Sequence, residues 1–320
     1  MFVPVTPVEI PTGTLNAWRD IHISDYIDVP GVGLTGVLMR VYVTGIYSGV
    51  TFGVRKKGST DSRIGELRTG NKHITQAACG VDSSGYFQIY EGSDVYGGDG
   101  LRFDIIGYTT TGTEFFTNAI DISPTSANVW TTKDLSLYCP SAVGVMLAFT
   151  GWSISYPVGA RPYGSTDGYT SGVMGNDGAL AVLGCSANQA IDVFLYNISY
   201  TKCYLIGYIV YGSGVFQVNG TDVTPTLNTW SDLTALDSSA AFGVYEYTPS
   251  NDYSFGMRAK GDAEALVLAT YHCWWLAPCN EDAVCQAYVG GATLRFLGYL
   301  PAIAVAASSG NIMIGECWVG

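Results

Sequence analysis

The hydrophobic residues of this chain fall in short runs in which apolar and polar positions alternate. Near the start of the chain such runs cover 37–43, 86–90 and 101–106. Alternation with a period of two is typical of strands that bury one face. Clusters of Gly, Asp and Ser at 82–85 and 97–100 separate the runs and favour tight turns. No window of about a dozen residues has apolar positions at the spacing of a helix, so the pattern predicts an all-β chain.

The same signatures recur three times along the chain. Each copy carries a tryptophan followed by an aspartate and an aliphatic residue, then a polar loop that starts with an arginine, and finally a Gly-Tyr pair. The tryptophans are Trp18, Trp130 and Trp230, and the tyrosines of the pairs are Tyr108, Tyr208 and Tyr299. A period of about 100 residues is too long for a solenoid and matches an autonomous domain. The sequence therefore predicts three tandem copies of one domain.

Turn sequences between the copies set the expected boundaries. Gly112 and the Gly212–Gly214 segment mark turns, so we expect domains at 1–112, 113–212 and 213–301. About eight short strands per copy predict an antiparallel β-sandwich, most simply of the jelly-roll type. Residues 302–320 start like one more strand. That strand either completes the third sandwich or pairs with a neighbouring subunit.

Composition and charge narrow the possible partners. Only 13% of the 320 residues are charged, while Gly numbers 40 and Tyr 22, a mixture that suits strands and turns. The net charge of −12 disfavours nucleic acid and anionic membrane surfaces, because both reward clusters of Lys and Arg. Residues 1–5 show no secretory signal, and no apolar run is long enough to span a bilayer. We expect neither a nucleic-acid nor a membrane partner.

The cysteines do not form an obvious disulfide framework or metal site. The ones that recur at nearly the same place in the three copies are Cys79, Cys185 and Cys279. No second cysteine position repeats, so these residues have no partner within their own copy, and we expect buried, reduced thiols. A zinc site would have to use His272, Cys273, Cys279 and Cys285. These four lack the short ligand spacings that bring side chains to one metal, so we predict no metal and no other cofactor.

The most specific local signal is the loop Arg-x-x-Gly-Ser-Thr-Asp, which is turn chemistry. We expect its arginine to pair with its aspartate in each copy: Arg55 with Asp61, Arg161 with Asp167, and Arg258 with Asp262. The alternative is a polar loop that contacts a ligand such as a sugar. The third copy loses Ser and Thr but keeps the carboxylate, which favours a structural staple within each domain.

The repeated aromatic residues have a structural and a functional interpretation. Large aromatic side chains at strand starts commonly fill the end of a sandwich, so we expect all three tryptophans and the tyrosines of the Gly-Tyr pairs in the domain cores. The functional alternative is a set of platforms that stack on sugar rings.

No candidate catalytic residues emerge from the sequence. His22, His73 and His272 occupy unrelated positions in their copies, so a catalytic triad would have to be unique to one copy. There is no nucleophile elbow and no phosphate-cradling loop. A glycan hydrolase would need two carboxylates that face each other, and the sequence nominates no such pair. We predict a protein that is not an enzyme.

Taken together, the tryptophan, the Gly-Ser-Thr-Asp loop and the closing Ile-Gly-Tyr resemble modules in uncharacterised proteins of tailed bacteriophages and related viruses. There such modules occur in tandem in virion accessory, fibre-like or capsid-decorating proteins. The resemblance extends from Trp18 to Tyr299 and is clearest in the first copy. It implies a place on a particle rather than a reaction.

This resemblance leads to a functional expectation. We expect a structural protein on the outer surface of a virion, assembled in the host cytoplasm, with other virion proteins or further copies of itself as partners. Tandem copies of one sandwich offer several similar faces for such contacts. The alternative is a carbohydrate-binding or host-adhesion protein whose partner is a host-surface glycan.

Overall fold

In a computed structural model, the chain consists almost entirely of antiparallel strands. The structure describes residues 1–29, 33–43, 50–63, 65–67, 74–92, 100–151, 156–168, 179–210, 212–233, 237–249, 253–263, 268–270 and 273–302. Within these residues the single helical element is a 3₁₀ turn at Ile23–Asp25. The predicted C-terminal strand at 302–320 lies outside the described residues, apart from Ala302.

The first sandwich contains eight strands. They are β1 (Phe2–Ile10), β2 (Ala17–His22), β3 (Gly36–Val43), β4 (Val50–Lys56), β5 (Gly65–Leu67), β6 (Ile74–Gly80), β7 (Tyr86–Glu91) and β8 (Leu101–Thr109). One sheet has the order β1-β8-β3-β6 and the other has the order β2-β7-β4-β5. Two antiparallel four-stranded sheets in this order form a jelly roll.

The other two sandwiches repeat this topology. The second contains β9 (Thr113–Asp121), β10 (Thr131–Asp134), β11 (Ala142–Gly151), β12 (Val158–Pro162), β13 (Ala179–Gly184), β14 (Ala190–Leu195) and β15 (Thr201–Val210). The third contains β16 (Val215–Asp222), β17 (Ser231–Leu233), β18 (Ala240–Pro249), β19 (Tyr253–Ala259), β20 (Leu268–Thr270), β21 (Cys273–Pro278), β22 (Cys285–Val289) and β23 (Ala292–Pro301). Their sheet orders are β13-β11-β15-β9 with β10-β14-β12, and β16-β23-β18-β21 with β17-β22-β19-β20. The prediction of three antiparallel, jelly-roll-like sandwiches is confirmed.

Each sandwich has its own core, and a fourth cluster lies between the sandwiches. Strand β3 is apolar on both faces because each face packs in a different cluster. Val37 and Met39 belong to the first core, while Leu38 points the other way. Met146 and Val244 repeat the position of Leu38, because each of the three lies opposite the glycine of a Gly-Tyr pair. All three belong to the fourth cluster. The corresponding sheets of the three sandwiches therefore pack around one shared centre.

The sandwiches form a closed ring. Strand β9 of the second sandwich packs on β3, β4 and β6 of the first, and β16 of the third packs on β11, β12 and β13 of the second. Strand β1 of the first sandwich packs on β18 of the third, which closes the cycle. We call the contact between the first and second sandwiches the first seam, that between the second and third the second seam, and that between the third and first the closing seam.

Candidate functional site

At the first seam, the Gly-Ser-Thr-Asp loop of one sandwich binds the first strand of the next. The Ser59 hydroxyl donates to Asn118 Oδ1 at 2.9 Å, and the Thr60 amide donates to the same oxygen at 2.8 Å. In return, the amide of Ala119 donates to Asp61 Oδ2 at 2.8 Å. Loop and strand each supply a donor and an acceptor. We call these five residues the first latch.

Local sequence explains why the loop can reach the next sandwich. Gly58 has a φ of +87°, which glycine tolerates and other residues rarely adopt. The Ser59 amide then donates to Lys56 O, and the Ser59 hydroxyl accepts from the Asp61 amide at 3.0 Å. Arg55 donates to the backbone carbonyl of Asp61. The loop is therefore held in shape from inside, which leaves the Asp61 carboxylate to face the neighbour.

The second seam repeats this geometry. Ser165 Oγ and the Thr166 amide each donate to Asn219 Oδ1 at 2.9 Å. The Gly220 amide donates to Asp167 Oδ2 at 2.8 Å. We call these five residues the second latch. Two latches with nearly identical geometry show that the loop recognises the next sandwich.

Each latch carboxylate also has a guanidinium partner, but the partner comes from a different place at each seam. Asp61 pairs with Arg63 of its own sandwich at 3.2 Å. Asp167 pairs with Arg295 of the third sandwich at 2.7 Å. Arg295 is buried and pairs with Glu246 at 3.3 Å as well. Buried charges of this kind are stable only when paired, so removal of one partner is costly.

An aromatic knob accompanies each latch. Phe115 covers Gly36 and Gly80, and a Cβ atom on Gly36 would lie only 2.3 Å from the Phe115 ring. The second seam has the same contact, formed by Phe216, Gly144 and Gly184. Glycine is required at these sites because the neighbouring ring occupies the space of a side chain.

The closing seam lacks the loop serine and threonine and the strand asparagine of the other two seams. In the third sandwich the Asp262 amide donates to Ala259 O, as Ser59 does to Lys56, so Asp262 stands in the place of the serine. The loop keeps its length, because Phe255 pairs with Leu268 as Phe52 pairs with Gly65, so the expectation that this copy keeps the loop aspartate and loses two residues is wrong. Glu264, at the position of Asp61, lies outside the described residues. In the first sandwich, Thr6 and Pro7 stand where the other copies have Asn-Ala and Asn-Gly, counted back from the strand pairs that follow. Proline has no N–H to donate.

The closing seam is held by other contacts. The side-chain amide of Gln76 donates to Leu276 O at 2.9 Å and accepts from the Leu276 amide at 2.7 Å. Phe2 meets the Phe242 ring edge-on, with centroids 6.4 Å apart. Pro4 stands where the other seams have the knob phenylalanine, since all three pair with the glycine of a Gly-Tyr pair. Beside these contacts lies a cavity of about 340 Å³.

The predicted arginine–aspartate staple takes a different form from the one expected. Arg55 and Arg161 both contact their own loop aspartates, but through the backbone carbonyls of Asp61 and Asp167. The carboxylates turn away because the next sandwich offers an amide N–H and a guanidinium partner is in reach. In the third copy, Arg258 donates through Nε to Gln286 at 2.9 Å.

The prediction that the tryptophans fill the cores is wrong. All three are half-buried on the side of their sheet away from the core, and each lies under the guanidinium of the loop arginine. The distances to the ring centroids are 3.9 Å for Arg55 over Trp18, 4.2 Å for Arg161 over Trp130 and 4.1 Å for Arg258 over Trp230. A cation over an indole face covers the ring without the need for a core. Of the Gly-Tyr tyrosines, Tyr108 is buried with the first core, and Tyr208 and Tyr299 pack half-buried against the second and third.

The described cysteines are free thiols, and burial raises the pKa of Cys79, Cys139, Cys185 and Cys203. The pKa of Cys139 rises to about 12 and that of Cys185 to about 11. No group of three or more His, Cys, Asp or Glu residues in the described part of the chain is placed to hold a metal. His272, which completes the zinc alternative, lies outside that part. No helix within it is long and apolar enough to cross a membrane.

The buried carboxylates of the described residues are all held in structural ion pairs. The pairs are Arg19 with Glu91, Arg40 with Asp104, Arg161 with Asp192, and Arg295 with Glu246. Each pair joins two residues of the same sandwich, so these carboxylates stabilise the sandwiches themselves.

Comparisons with known proteins add little to this geometry. No protein-family model matches the chain, and no curated protein matches it. Among solved structures, a chain from the atomic structure of Sulfolobus turreted icosahedral virus is similar over 94% of this chain and 86% of that chain, at 11% sequence identity and a TM-score of 0.23. At that TM-score the similarity carries no argument about function.

Proposed function

We propose that this protein is a non-enzymatic structural component of a virus particle, placed on the outer surface, and that its working unit is the closed ring of three sandwiches. The observation that carries the proposal is the cyclic closure, in which the first strand of each sandwich packs on another sandwich. Three similar lobes around one centre suit contacts with several neighbours in a symmetric lattice, and a single active site has no need of them. The sequence resemblance to tandem virion modules supports the same role.

The exposed apolar side chains support a protein partner. Among the described residues, the large hydrophobic side chains that are exposed all belong to the second and third sandwiches. Strand β16 exposes Val215 and Val218, at positions where the equivalent strand β9 exposes Glu114 and Thr117. Tyr163 on the neighbouring loop is also exposed. Exposed apolar side chains that the equivalent strand lacks favour a contact surface, which we assign to other virion proteins or further copies of this chain.

The test is incorporation into particles. We expect mass spectrometry to find the protein in purified virions, and cryo-electron microscopy to show a three-lobed density on their outer surface. The double variant Val215→Glu with Val218→Thr copies the polar pattern of β9 and should reduce incorporation without a change in fold. Thr117→Ser at the first seam is the control. Virions that lack the protein, or that incorporate the double variant normally, would contradict the proposal.

A second candidate, adhesion to a host-surface glycan, is favoured by one feature of the second sandwich. Tyr156 lies between Tyr196 and Tyr200 in a parallel stack, with ring centroids 6.2 and 5.6 Å apart. Tyr196 is 46% exposed and Tyr200 is 53% exposed, so ring surface is available to a ligand. A glycan-array signal that is lost in the Tyr196→Ala, Tyr200→Ala variant would support adhesion, and an array without any signal would remove this candidate.

A further inference from the structure

We infer that Cys279 and Cys285 of the third sandwich form a peroxide-reactive thiol pair, which a small hydroperoxide converts to a disulfide. The two residues flank the turn between β21 and β22, and both belong to the core of the third sandwich. Both are free thiols. The inference concerns a site of covalent modification and does not depend on a role in a virus particle.

The turn between the two cysteines places them side by side. The Asn280 amide donates to Val284 O at 3.1 Å, and the Val284 amide donates to Asn280 Oδ1 at 2.9 Å. Because residues 280 and 284 are bonded to each other, their outer neighbours Cys279 and Cys285 face each other, and the two thiols form a hydrogen bond. A disulfide requires such proximity, since its S–S bond spans only about 2 Å.

The thiol pair is particular to the third sandwich. The equivalent turns of the first two sandwiches are closed by the same backbone hydrogen bond, from the Asp82 amide to Tyr86 O and from the Ser186 amide to Ala190 O. The residues that flank those turns are Val81 with Phe87, and Cys185 with Ile191. Cys185 therefore occupies the place of Cys279 but has an isoleucine across the turn, which makes it an internal reference.

Cys285 is the nucleophile of the pair. It is fully buried, and its sulfur lies 3.2 Å from the Tyr245 hydroxyl oxygen. Hydrogen bonds donated to a thiolate stabilise it. The hydrogen bond from the Cys279 thiol, with a smaller contribution from Tyr245, lowers the pKa of Cys285 against the effect of burial, and the same bond raises the pKa of Cys279. Cys285 therefore ionises first, while Cys279 keeps its proton.

The cavity at the closing seam gives a small oxidant access to the pair. Cys279 lines this cavity, whose volume is about 340 Å³. A water molecule needs only roughly 15 Å³, and hydrogen peroxide is little larger than water. Cys279 is only 7% exposed, which disfavours a bulky oxidant such as glutathione disulfide. The site therefore suits a small hydroperoxide.

The oxidation takes place in two balanced steps. The Cys285 thiolate attacks one oxygen of hydrogen peroxide, the O–O bond breaks, and the sulfur gains a hydroxyl group as a sulfenic acid, while the released hydroxide takes up the proton that Cys285 lost. The Cys279 sulfur then attacks the sulfenic sulfur. The S–S bond forms, the S–O bond breaks, and the thiol proton of Cys279 leaves with the hydroxide as water. In sum, two thiols are oxidised to one disulfide and one peroxide is reduced to two water molecules.

The experiment exposes the native full chain to hydrogen peroxide at neutral pH, then denatures it in an alkylating reagent for peptide mass spectrometry. We expect the peptide with Cys279 and Cys285 to lose two hydrogen atoms and both alkylation sites. This loss should be at least about tenfold faster than the oxidation of Cys185, because the pKa of Cys185 is raised to about 11 and its thiolate is scarce. Glutathione disulfide at the same concentration should react more slowly. Equal rates at Cys185 and at the pair, or faster oxidation by glutathione disulfide, would overturn the inference.

Variants of the site test the role of each residue. Tyr245→Phe removes one hydrogen bond to the Cys285 thiolate and should slow the oxidation by about threefold or more. Tyr247→Phe, the same change at the next inward position of β18, should leave the rate unaltered. Cys279→Ser should stop the reaction at the sulfenic acid of Cys285, which dimedone labels. Equal rates in the two tyrosine variants, or no dimedone label on Cys285, would contradict the assignment. Where a variant does not fold, the comparison with Cys185 in the unaltered chain decides the question.

Discussion

The first two seams and the closing seam connect the same fold by different chemistry. At the first two, a loop with Ser, Thr and Asp grips an Asn of the next sandwich, and a phenylalanine covers a pair of glycines. At the closing seam, Gln76 grips the backbone of Leu276 and a cavity remains. The Ser-Thr pair occurs in the first and second sandwiches, and the Asn occurs in the second and third. The two elements therefore occur together at the first and second seams and not at the closing seam.

The largest effect on the free energy of unfolding is expected from the phenylalanine knob of the second seam. Phe216→Ala removes a ring that fills the space above Gly144 and Gly184, and should lower the free energy of unfolding by about 2–3 kcal/mol. Pro4→Ala, at the equivalent position of the closing seam, should cost less than about 1 kcal/mol. Urea denaturation measures both. Equal losses would show that the closing seam depends on its first strand as strongly as the second seam does.

The latch should contribute less than the knob to the free energy of unfolding, because its asparagine is exposed to solvent. Asn219→Ala removes the acceptor of the Ser165 and Thr166 donors and should cost about 1 kcal/mol. The matched variant is Thr6→Ala, which occupies the asparagine position at the closing seam and should change stability by less than about 0.5 kcal/mol. A destabilisation by Thr6→Ala as large as that by Asn219→Ala would break the contrast between the seams.

A rebuilt latch should strengthen the closing seam. The variant combines Asp262→Ser and Ala263→Thr with Thr6→Asn and Pro7→Ala, which restore the hydroxyl donors, the amide acceptor and the backbone donor. We expect a gain of about 1 kcal/mol in the free energy of unfolding, the contribution of a few partly exposed hydrogen bonds. The melting temperature in differential scanning calorimetry provides the measurement. A lower melting temperature would mean that the closing seam has adapted to the absence of the latch.

The smallest effect is expected in the labelling rates of two cysteine thiols, one at the second seam and one at the closing seam. Cys185 borders the second seam and Cys279 lines the closing-seam cavity. Because the pKa of Cys185 is raised to about 11, its reactive thiolate is scarce at pH 8, and labelling should be about a hundredfold slower than for a free thiol and should accelerate as pH rises. Asn219→Ala should speed the labelling of Cys185 and leave Cys279 unchanged, as followed by mass spectrometry. Equal acceleration at both cysteines would indicate global rather than local opening.

The fold was largely predictable because the alternating pattern and the threefold recurrence are local signals. The core position predicted for the tryptophans is wrong because it follows from residue type, whereas the face on which a side chain lies depends on its position in the strand. Successive side chains of a strand point to opposite faces, so Trp18 and Ile21, three residues apart, lie on opposite faces. Since Ile21 is in the core, Trp18 must lie outside it. Parity along the strand would have placed the tryptophan correctly.

The latch could not be recognised from the loop by itself. Ser59 and Asn118 are 59 residues apart and belong to different copies of the repeat, so only the packing of the sandwiches shows that they meet. The sequence does contain an indirect signal. The Ser-Thr pair is absent from the third copy, and the Asn is absent from the first, where Thr6 takes its place. Two losses at opposite ends of the chain indicate that the two elements serve one contact.

The buried ion pairs of the first and third sandwiches have opposite charges on corresponding strands, and this affects which strands can pair during folding. Tandem copies of one fold risk exchanging strands with each other, since each strand meets nearly equivalent partners. Arg40 on β3 lies opposite Asp104 on β8, while Glu246 on β18 lies opposite Arg295 on β23. If β3 paired with β23, two arginines would meet at a buried position, and the converse error would bring two carboxylates together. Like charges without partners are costly to bury. The two pairs therefore disfavour pairing between strands of the first and third sandwiches.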